Sequence, residues 1–386
     1  MKKVKCIKNM DKVLLVVTLL LSFYGLFNIV TASSREAVTN MEESLFFYFY
    51  RHLAILIIGF VASGIVIKTS LKKYHKFLPL IFTITLILNI WLVVSGSSTR
   101  GANNWIDLGF FNLQPSEISK PVVIVCLAFI FEKFYKILRN PKLDHTKHLG
   151  IILLVGLLIP AVVFMQKDLG TAIVLVGIFS IMFITSPILK IEKLKITVIM
   201  LIATFMFGLL IYNFKGQILS EAQMSRFDFY DPCSKYSKNG YQICNAFIAI
   251  NDGGLFGVGI GKSTQKYSYI PEPHTDMVFA IISEENGFLR CTVIFIAYIV
   301  ILYRILALSS KTSDIKGRYI CIGVATYIFM HILINLGGLF GVIPLTGVPL
   351  PFLSYGGSFT LSLLVAISVV QRVHIETNCH KVKKID

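Results

Sequence analysis

Charge is scarce in this chain. Only 15% of its 386 residues are Asp, Glu, Lys or Arg, against about 25% in soluble domains, while 55% are hydrophobic. That balance excludes an ordinary soluble domain and points to a membrane protein. Acidic side chains are scarcer still, 21 against 37 Lys and Arg, giving a net charge of +16. The excess does not indicate nucleic acid, because the cations are dispersed over connections with no basic stripe and no aromatic platform. No CxxC pair and no His/Cys cluster suggests a metal. No small-x-small cleavage site stands out at the first apolar run, which has the length of a span, so it reads as a first helix rather than a removable signal peptide. No internal repeat is obvious, which weakens the case for a transporter built from inverted halves.

What the chain has in abundance is apolar runs. Crossing about 30 Å of hydrocarbon at 1.5 Å per residue takes roughly 20 residues. Ten runs qualify, near 13 to 32, 51 to 69, 77 to 95, 117 to 138, 149 to 166, 169 to 189, 196 to 214, 277 to 304, 319 to 342 and 355 to 374. The fifth and sixth are separated only by Gln166, Lys167 and Asp168, a turn that could also be a break inside one re-entrant element. Ten spans is the reading adopted. Lys and Arg mark every second connection, from Lys2, Lys3, Lys5, Lys8 and Lys12 through Lys133, Lys136 and Arg139 to Lys381, Lys383 and Lys384. By the positive-inside rule these connections are cytoplasmic, as are both termini, and the cations suit anionic lipid headgroups. The expected fold is an all-α polytopic membrane protein forming one integral unit over 1 to 386. Residues 1 to 12 form a cytoplasmic N-terminus, 13 to 374 the transmembrane core, 215 to 276 a large extracytoplasmic loop between helices 7 and 8, and 375 to 386 a cytoplasmic tail.

The same alternation puts three stretches outside: STRGANNWIDLGFFNLQPSEISK (98 to 120), the long loop, and GVIPLTGVPLPFLSYGGSF (341 to 359). Cys233 and Cys244 share the long loop in an oxidising compartment, so a disulfide between them is an expectation. GGLFGVGIGKST (253 to 264) imitates a phosphate loop, but a Walker A motif needs glycine five residues before Gly261 and Phe256 stands there. Its glycines read instead as close packing of a loop or helix at the membrane surface, with Lys262 near enough to meet an anionic headgroup or pyrophosphate.

Taken together, QPSEISK (114 to 120), QKDLGTA (166 to 172), RFDFYDP (226 to 232), YQICNAFIAINDGGLFGVGIGKSTQK (241 to 266), PEPHTDMVFAIISEENG (271 to 287) and PLTGVPLPFLSYGGS (344 to 358) resemble the SEDS family of polytopic peptidoglycan glycosyltransferases. The motifs keep the family's order and spacing over nearly the whole chain. Departures are Lys167 where the family often has Pro, Met277 where Phe usually follows the key Asp, and Phe359 where a second Ser is common. The resemblance implies a bacterial cytoplasmic membrane location and lipid II as substrate. It implies an inverting transfer in which the hydroxyl of one lipid-linked sugar displaces polyprenyl pyrophosphate from another chain. A class B penicillin-binding protein, a transpeptidase, is the implied partner, alongside other proteins of the division or elongation complex, with a lean to the division type. No cofactor is assigned with certainty, and a divalent cation stays open.

Such a transfer needs a base for the acceptor hydroxyl and cations around the departing pyrophosphate. Asp276 matches the family's essential acid and sits where the outer loop meets the eighth span; its bland reading is a helix cap. Glu117 and Lys120 are i and i+3 behind Pro115, so they share a helix face, and the resemblance makes both cavity residues. Trp105 resembles a position tied to activity, although Trp also anchors at interfaces. Arg100 and Arg226 are the candidate pyrophosphate grips, since guanidinium binds phosphate bidentately. Glu284 and Glu285 lie inside a span, where an acid faces a cavity or a partner, and Arg290 is an available partner. Asp168 reads as a helix start, and His274 with Asp276 does not make a metal site. Three prolines and three glycines in PLTGVPLPFLSYGGS forbid continuous helix, and irregular backbone at that depth survives when it lines a cavity or packs in protein. Polymerase, lipid II flippase and inactive scaffold remain the alternatives. Asp276 at the membrane boundary rather than the midplane favours the first.

Overall fold

The computed structural model describes residues 9–40, 44–95, 97–99, 102–107, 109, 112–218, 231–234, 240–267 and 270–385. Eleven α-helices of eight or more residues account for most of them: α1 (Lys12–Arg35), α2 (Phe47–Lys68), α3 (Leu71–Ser95), α4 (Pro115–Leu138), α5 (Thr146–Met165), α6 (Leu169–Thr185), α7 (Lys190–Ile218), α8 (Tyr241–Gly253), α9 (Val278–Lys311), α10 (Ile315–Leu339) and α11 (Gly357–Ile385). Each of the ten expected spans coincides with one of them, and α8 falls within the long loop. Among the described residues, seven helices are long and apolar enough to cross a membrane: α1, α2, α3, α5, α9, α10 and α11. Helix α6 is apolar but only 17 residues long.

Buried surface is concentrated on α10 and α11. Helix α10 packs against α9, α4 and α6, and α11 against α2 and α4, whereas α3 keeps most of its apolar face outward. Outward apolar residues such as Leu80, Ile87 and Val94 are what a helix bathed in lipid requires, since only polar atoms need shelter there. One buried acid ties three helices at the lysine-rich end. The Asp11 carboxylate accepts from the Leu14 amide at 3.0 Å, capping α1, and holds Arg304 of α9 at 2.7 Å. The Asp11 backbone exchanges two hydrogen bonds of 2.9 Å with the Gln371 amide of α11.

The connections at the end of the bundle remote from Asp11 and Arg304 are more ordered than the sequence pattern suggests. Between α3 and α4 runs a small antiparallel sheet of β1 (Ser97–Thr99), β2 (Ala102–Asp107) and β3 (Asn112–Leu113), with Ser97 opposite Trp105 and Ile106 opposite Leu113. Pro115 then opens α4 as its first residue, where a missing N–H is harmless. A π-helical turn, Glu36–Asn40, ends α1 on the same side.

Helix α9 is broken at Gly287, whose φ of 73° lies in the left-handed region. The glycine-rich segment wraps this break. Val258 and Gly259 amides donate to the Glu284 and Glu285 carbonyls (2.9 and 3.1 Å), and Phe288 and Leu289 amides donate to Gly254 and Leu255 (2.9 and 3.2 Å). A β-carbon on Gly257 would overlap the Glu285 carbonyl, and one on Gly287 would overlap the Gly257 amide. The close approach expected of these glycines is thus a backbone-to-backbone seam.

Candidate active site

A cavity of about 380 Å³ opens between the outer ends of α1, α2 and α11, the small sheet, and the segment leading into α9. Its walls include Trp105 from β2, Arg51 and Tyr48 from α2, His274 and Thr275 from the α9 approach, and Tyr355. The strand bearing Trp105 is held from below. Asp168 accepts from Asn104 at 2.7 Å and Gln114 at 2.8 Å, while its other oxygen accepts from the Thr171 amide at 3.1 Å and caps α6. The helix-start role read for Asp168 is therefore joined to a second one, bracing the sheet. Ser358 extends that brace to α11 by accepting from the Gln114 amide at 2.8 Å.

Asp276 lies immediately beside Thr275, whose hydroxyl donates to its carboxylate at 3.1 Å. The capping alternative fails in this geometry: the N-cap of α9 is Met277, and no side chain caps the helix. The Asp276 carboxylate is thus spared for other work, its Oδ2 without a hydrogen bond from any described residue. Its backbone is clamped. Asn335 of α10 donates to the Asp276 carbonyl at 2.7 Å and to the Val348 carbonyl at 2.8 Å, tying the start of α9 to the proline- and glycine-rich loop. That loop brings Gly347, at φ 74°, against the carboxylate: a β-carbon there would lie 3.7 Å from Oδ2.

Glu117 and Lys120 form a fully buried pair at 2.5 Å, on α4 within the bundle and off the walls of the cavity. Lys120 also meets His331 Nε2 at 3.0 Å, and His331 Nδ1 meets the Pro349 carbonyl at 3.0 Å. The chain Glu117, Lys120, His331 therefore supports the loop that flanks Asp276. Glu284 is enclosed by the Ser263 hydroxyl (2.5 Å) and the Thr264 amide and hydroxyl (2.7 and 3.0 Å). Glu285 pairs with Lys266 at 3.0 Å. Arg290, the available partner read from the sequence, forms no ion pair with either acid, and the break at Gly287 lies between them. Lys262 is exposed on the glycine loop. Arg100 and Arg226 lie outside the described residues. Cys233 and Cys244 are disulfide-bonded, with Cα atoms 5.0 Å apart.

His274 is buried against Tyr48, ring centroids 4.3 Å apart, and faces Glu36 at 3.4 Å. Among the described residues, no group of three or more His, Cys, Asp or Glu side chains is arranged to hold a metal ion. Sequence reasoning missed Arg51, Asn335 and His331. The signal was present in each: a cation just inside an aromatic stretch, FYFYRHL, and two polar side chains in the middle of an apolar span.

The fold is that of a multi-pass helical membrane protein, with a cavity at one end and the buried Asp276 next to its Thr275 wall. The chain belongs to the FtsW, RodA and SpoVE family of cell cycle proteins, which it matches over residues 11–379. It is 33% identical to stage V sporulation protein E of Bacillus subtilis over 369 residues, spanning 94% of this chain and 96% of that one. It is 32% identical to the probable peptidoglycan glycosyltransferase FtsW of the same organism, spanning 98% and 94%. Among solved structures, a chain of a peptidoglycan synthase complex that coordinates polymerization and crosslinking superposes with a TM-score of 0.74 at 21% identity, covering 95% of this chain and 98% of that one. The rod shape determining protein RodA of Thermus thermophilus gives 0.67 at 22%, covering 95% and 96%. These two likenesses establish the fold.

Proposed function

We propose that Asp276 is the general base of this peptidoglycan glycosyltransferase, acting on lipid II in the cavity beside Trp105 and Thr275 at the outer face of the cytoplasmic membrane. The observation that carries the reading is the state of the carboxylate: steadied by one hydroxyl, clamped through its backbone by Asn335, and not used as a cap. Such fixing of a base before substrate arrives is what positioned proton transfer requires.

In the reaction, the acceptor sugar hydroxyl gives its proton to Asp276 as its oxygen bonds to the anomeric carbon of the donor. The bond from that carbon to the pyrophosphate oxygen breaks, and polyprenyl pyrophosphate leaves with the electron pair. Attack from the opposite face inverts the α-linked donor to a β-1,4 bond. Arg51, which lines the cavity with its guanidinium 4.4 Å from the Phe47 ring centroid, answers the charge of the leaving group. Arg100, Arg226 and Lys262 are further candidates for that contact. Glu117, Lys120 and His331 act behind the site by fixing the Pro349 carbonyl, and Glu284 and Glu285 by fixing the glycine loop. A class B penicillin-binding protein is the proposed partner, which crosslinks the strands this chain makes. Orientation follows the lysine-rich connections, with both termini cytoplasmic and 215 to 276 outside.

Purified protein incubated with lipid II, with and without the transpeptidase, tests the reading: glycan strands should form, resolved as a ladder on a gel. Vesicles that carry lipid II across without ever joining it would replace polymerisation by transport.

A further inference from the structure

The break at Gly287 leaves one charge unanswered. Glu284 is satisfied by Ser263 and Thr264 and Glu285 by Lys266, so neither acid reaches Arg290. Arg290 is exposed and forms no hydrogen bond or ion pair with any described residue; its polar neighbours in the groove are the neutral Tyr24 and Asn286. It borders a groove of about 440 Å³ between α1 and α9, walled by Val17, Leu20, Leu21, Val293 and Ala297, with no carboxylate on its walls. Leu20 and Val293 are themselves exposed, so the groove opens sideways.

Depth sharpens the problem. Arg304, fourteen residues further along α9, is fixed to Asp11 at the lysine-rich end of α1. At 1.5 Å per residue, Arg290 stands about 21 Å beyond it, in the first turn after the Gly287 break and next to Leu289, whose amide meets the glycine loop, which puts it toward the outer side of hydrocarbon about 30 Å thick. An ionised side chain at that depth is rare and normally pairs with another charge. Among the described residues no carboxylate pairs with it, and an anionic headgroup is a counter-charge that the bilayer offers. We propose that the α1–α9 groove binds an anionic phospholipid of the outer leaflet, its phosphate on the Arg290 guanidinium and one acyl chain along Val17, Leu21 and Val293. Guanidinium meets phosphate oxygens through two parallel N–H···O bonds, and the apolar walls match the chain. The site is separate from the cavity beside Asp276 and does not depend on that residue's role.

Native mass spectrometry of the full-length protein, stripped of lipid in detergent and titrated with phosphatidylglycerol, reads the site directly. Wild type should retain one phosphatidylglycerol with at least about tenfold higher affinity than Arg290→Leu, while Arg290→Lys, which keeps the charge, should retain more than Arg290→Leu. Diacylglycerol shares the chains and lacks the phosphate; it should bind wild type and Arg290→Leu equally weakly, which also reports that the groove of the variant is intact. Equal retention of phosphatidylglycerol by wild type and Arg290→Leu overturns the proposal. So does tighter retention of a polyprenyl phosphate than of phosphatidylglycerol, which would assign the groove to a carrier lipid. A photo-crosslinking residue at position 293 in cells should capture phospholipid; capture of a partner's transmembrane helix in its place would assign the groove to protein.

Discussion

Replacing Asp276 by asparagine should stop polymerisation while leaving the protein folded. Asparagine keeps the shape of the side chain and can still accept from the Thr275 hydroxyl, 3.1 Å away in the wild type. The Asn335 clamp grips the backbone carbonyl and is untouched by the change. No helix cap is lost, because Met277 holds that position. The structural cost is therefore at most one weakened hydrogen bond, about 1 kcal/mol, or a melting shift within about 4 °C. Loss of a positioned base costs about 100- to 10,000-fold in rate, equivalent to about 3 to 5 kcal/mol of barrier. The two readings differ by more than the error of either measurement. The variant should be purified alongside wild type, checked by size-exclusion and thermal melting, and supplied with lipid II; the glycan ladder should vanish while the melting curve barely moves. A folded Asp276→Asn protein that polymerised lipid II near the wild-type rate would refute the assignment of the base, and a variant that melted many degrees lower would refute the account of what holds Asp276.

Other outcomes follow from the surroundings of the site. Lys266→Met strands the buried Glu285 carboxylate, so it should lose about 3 to 5 kcal/mol of stability, and adding Glu285→Gln should restore part of it; unchanged melting of the single variant would contradict the seam built around Gly287. Mass spectrometry of non-reduced peptides should find Cys233 joined to Cys244, and its removal by Cys→Ser at both positions should cost roughly 3 kcal/mol in the chain-entropy account. An engineered thiol near Asn239, with both native loop cysteines removed, should label from outside intact cells, and one near His145 should not; the reverse pattern would invert the orientation.

Long apolar runs were the most legible feature of the sequence, because a span must satisfy its backbone locally and so announces itself in composition. Where a motif carried a candidate, the structure places it near the cavity: Trp105 lines it, and Asp276 follows Thr275 on its wall. Arg51 was not legible, since an arginine near the start of an apolar helix looks like any interfacial anchor until the fold turns it toward His274 and Tyr355. Trp105 sits on a strand that no apolar alternation marked; β1, β2 and β3 are held by partners such as Asp168 and Ser358, far away along the chain. The cation that Glu285 meets is not the one the sequence offered as available, for a related reason. Arg290 is near in sequence, but a left-handed glycine between them redirects the chain, and Lys266 arrives from a loop nineteen residues earlier.

Gly287 also divides α9 into two mechanical parts. The long part runs down to Arg304 and its tether at Asp11. The short part carries Asp276 at its head and is stitched to the glycine loop, which continues into α8 and the Cys233–Cys244 bridge. The same loop also holds the first residues of the long part, through the Phe288 and Leu289 amides, so one element is joined to both sides of the break. Anything that held that loop would therefore hold the segment leading from Asp276 and the head of the long span together.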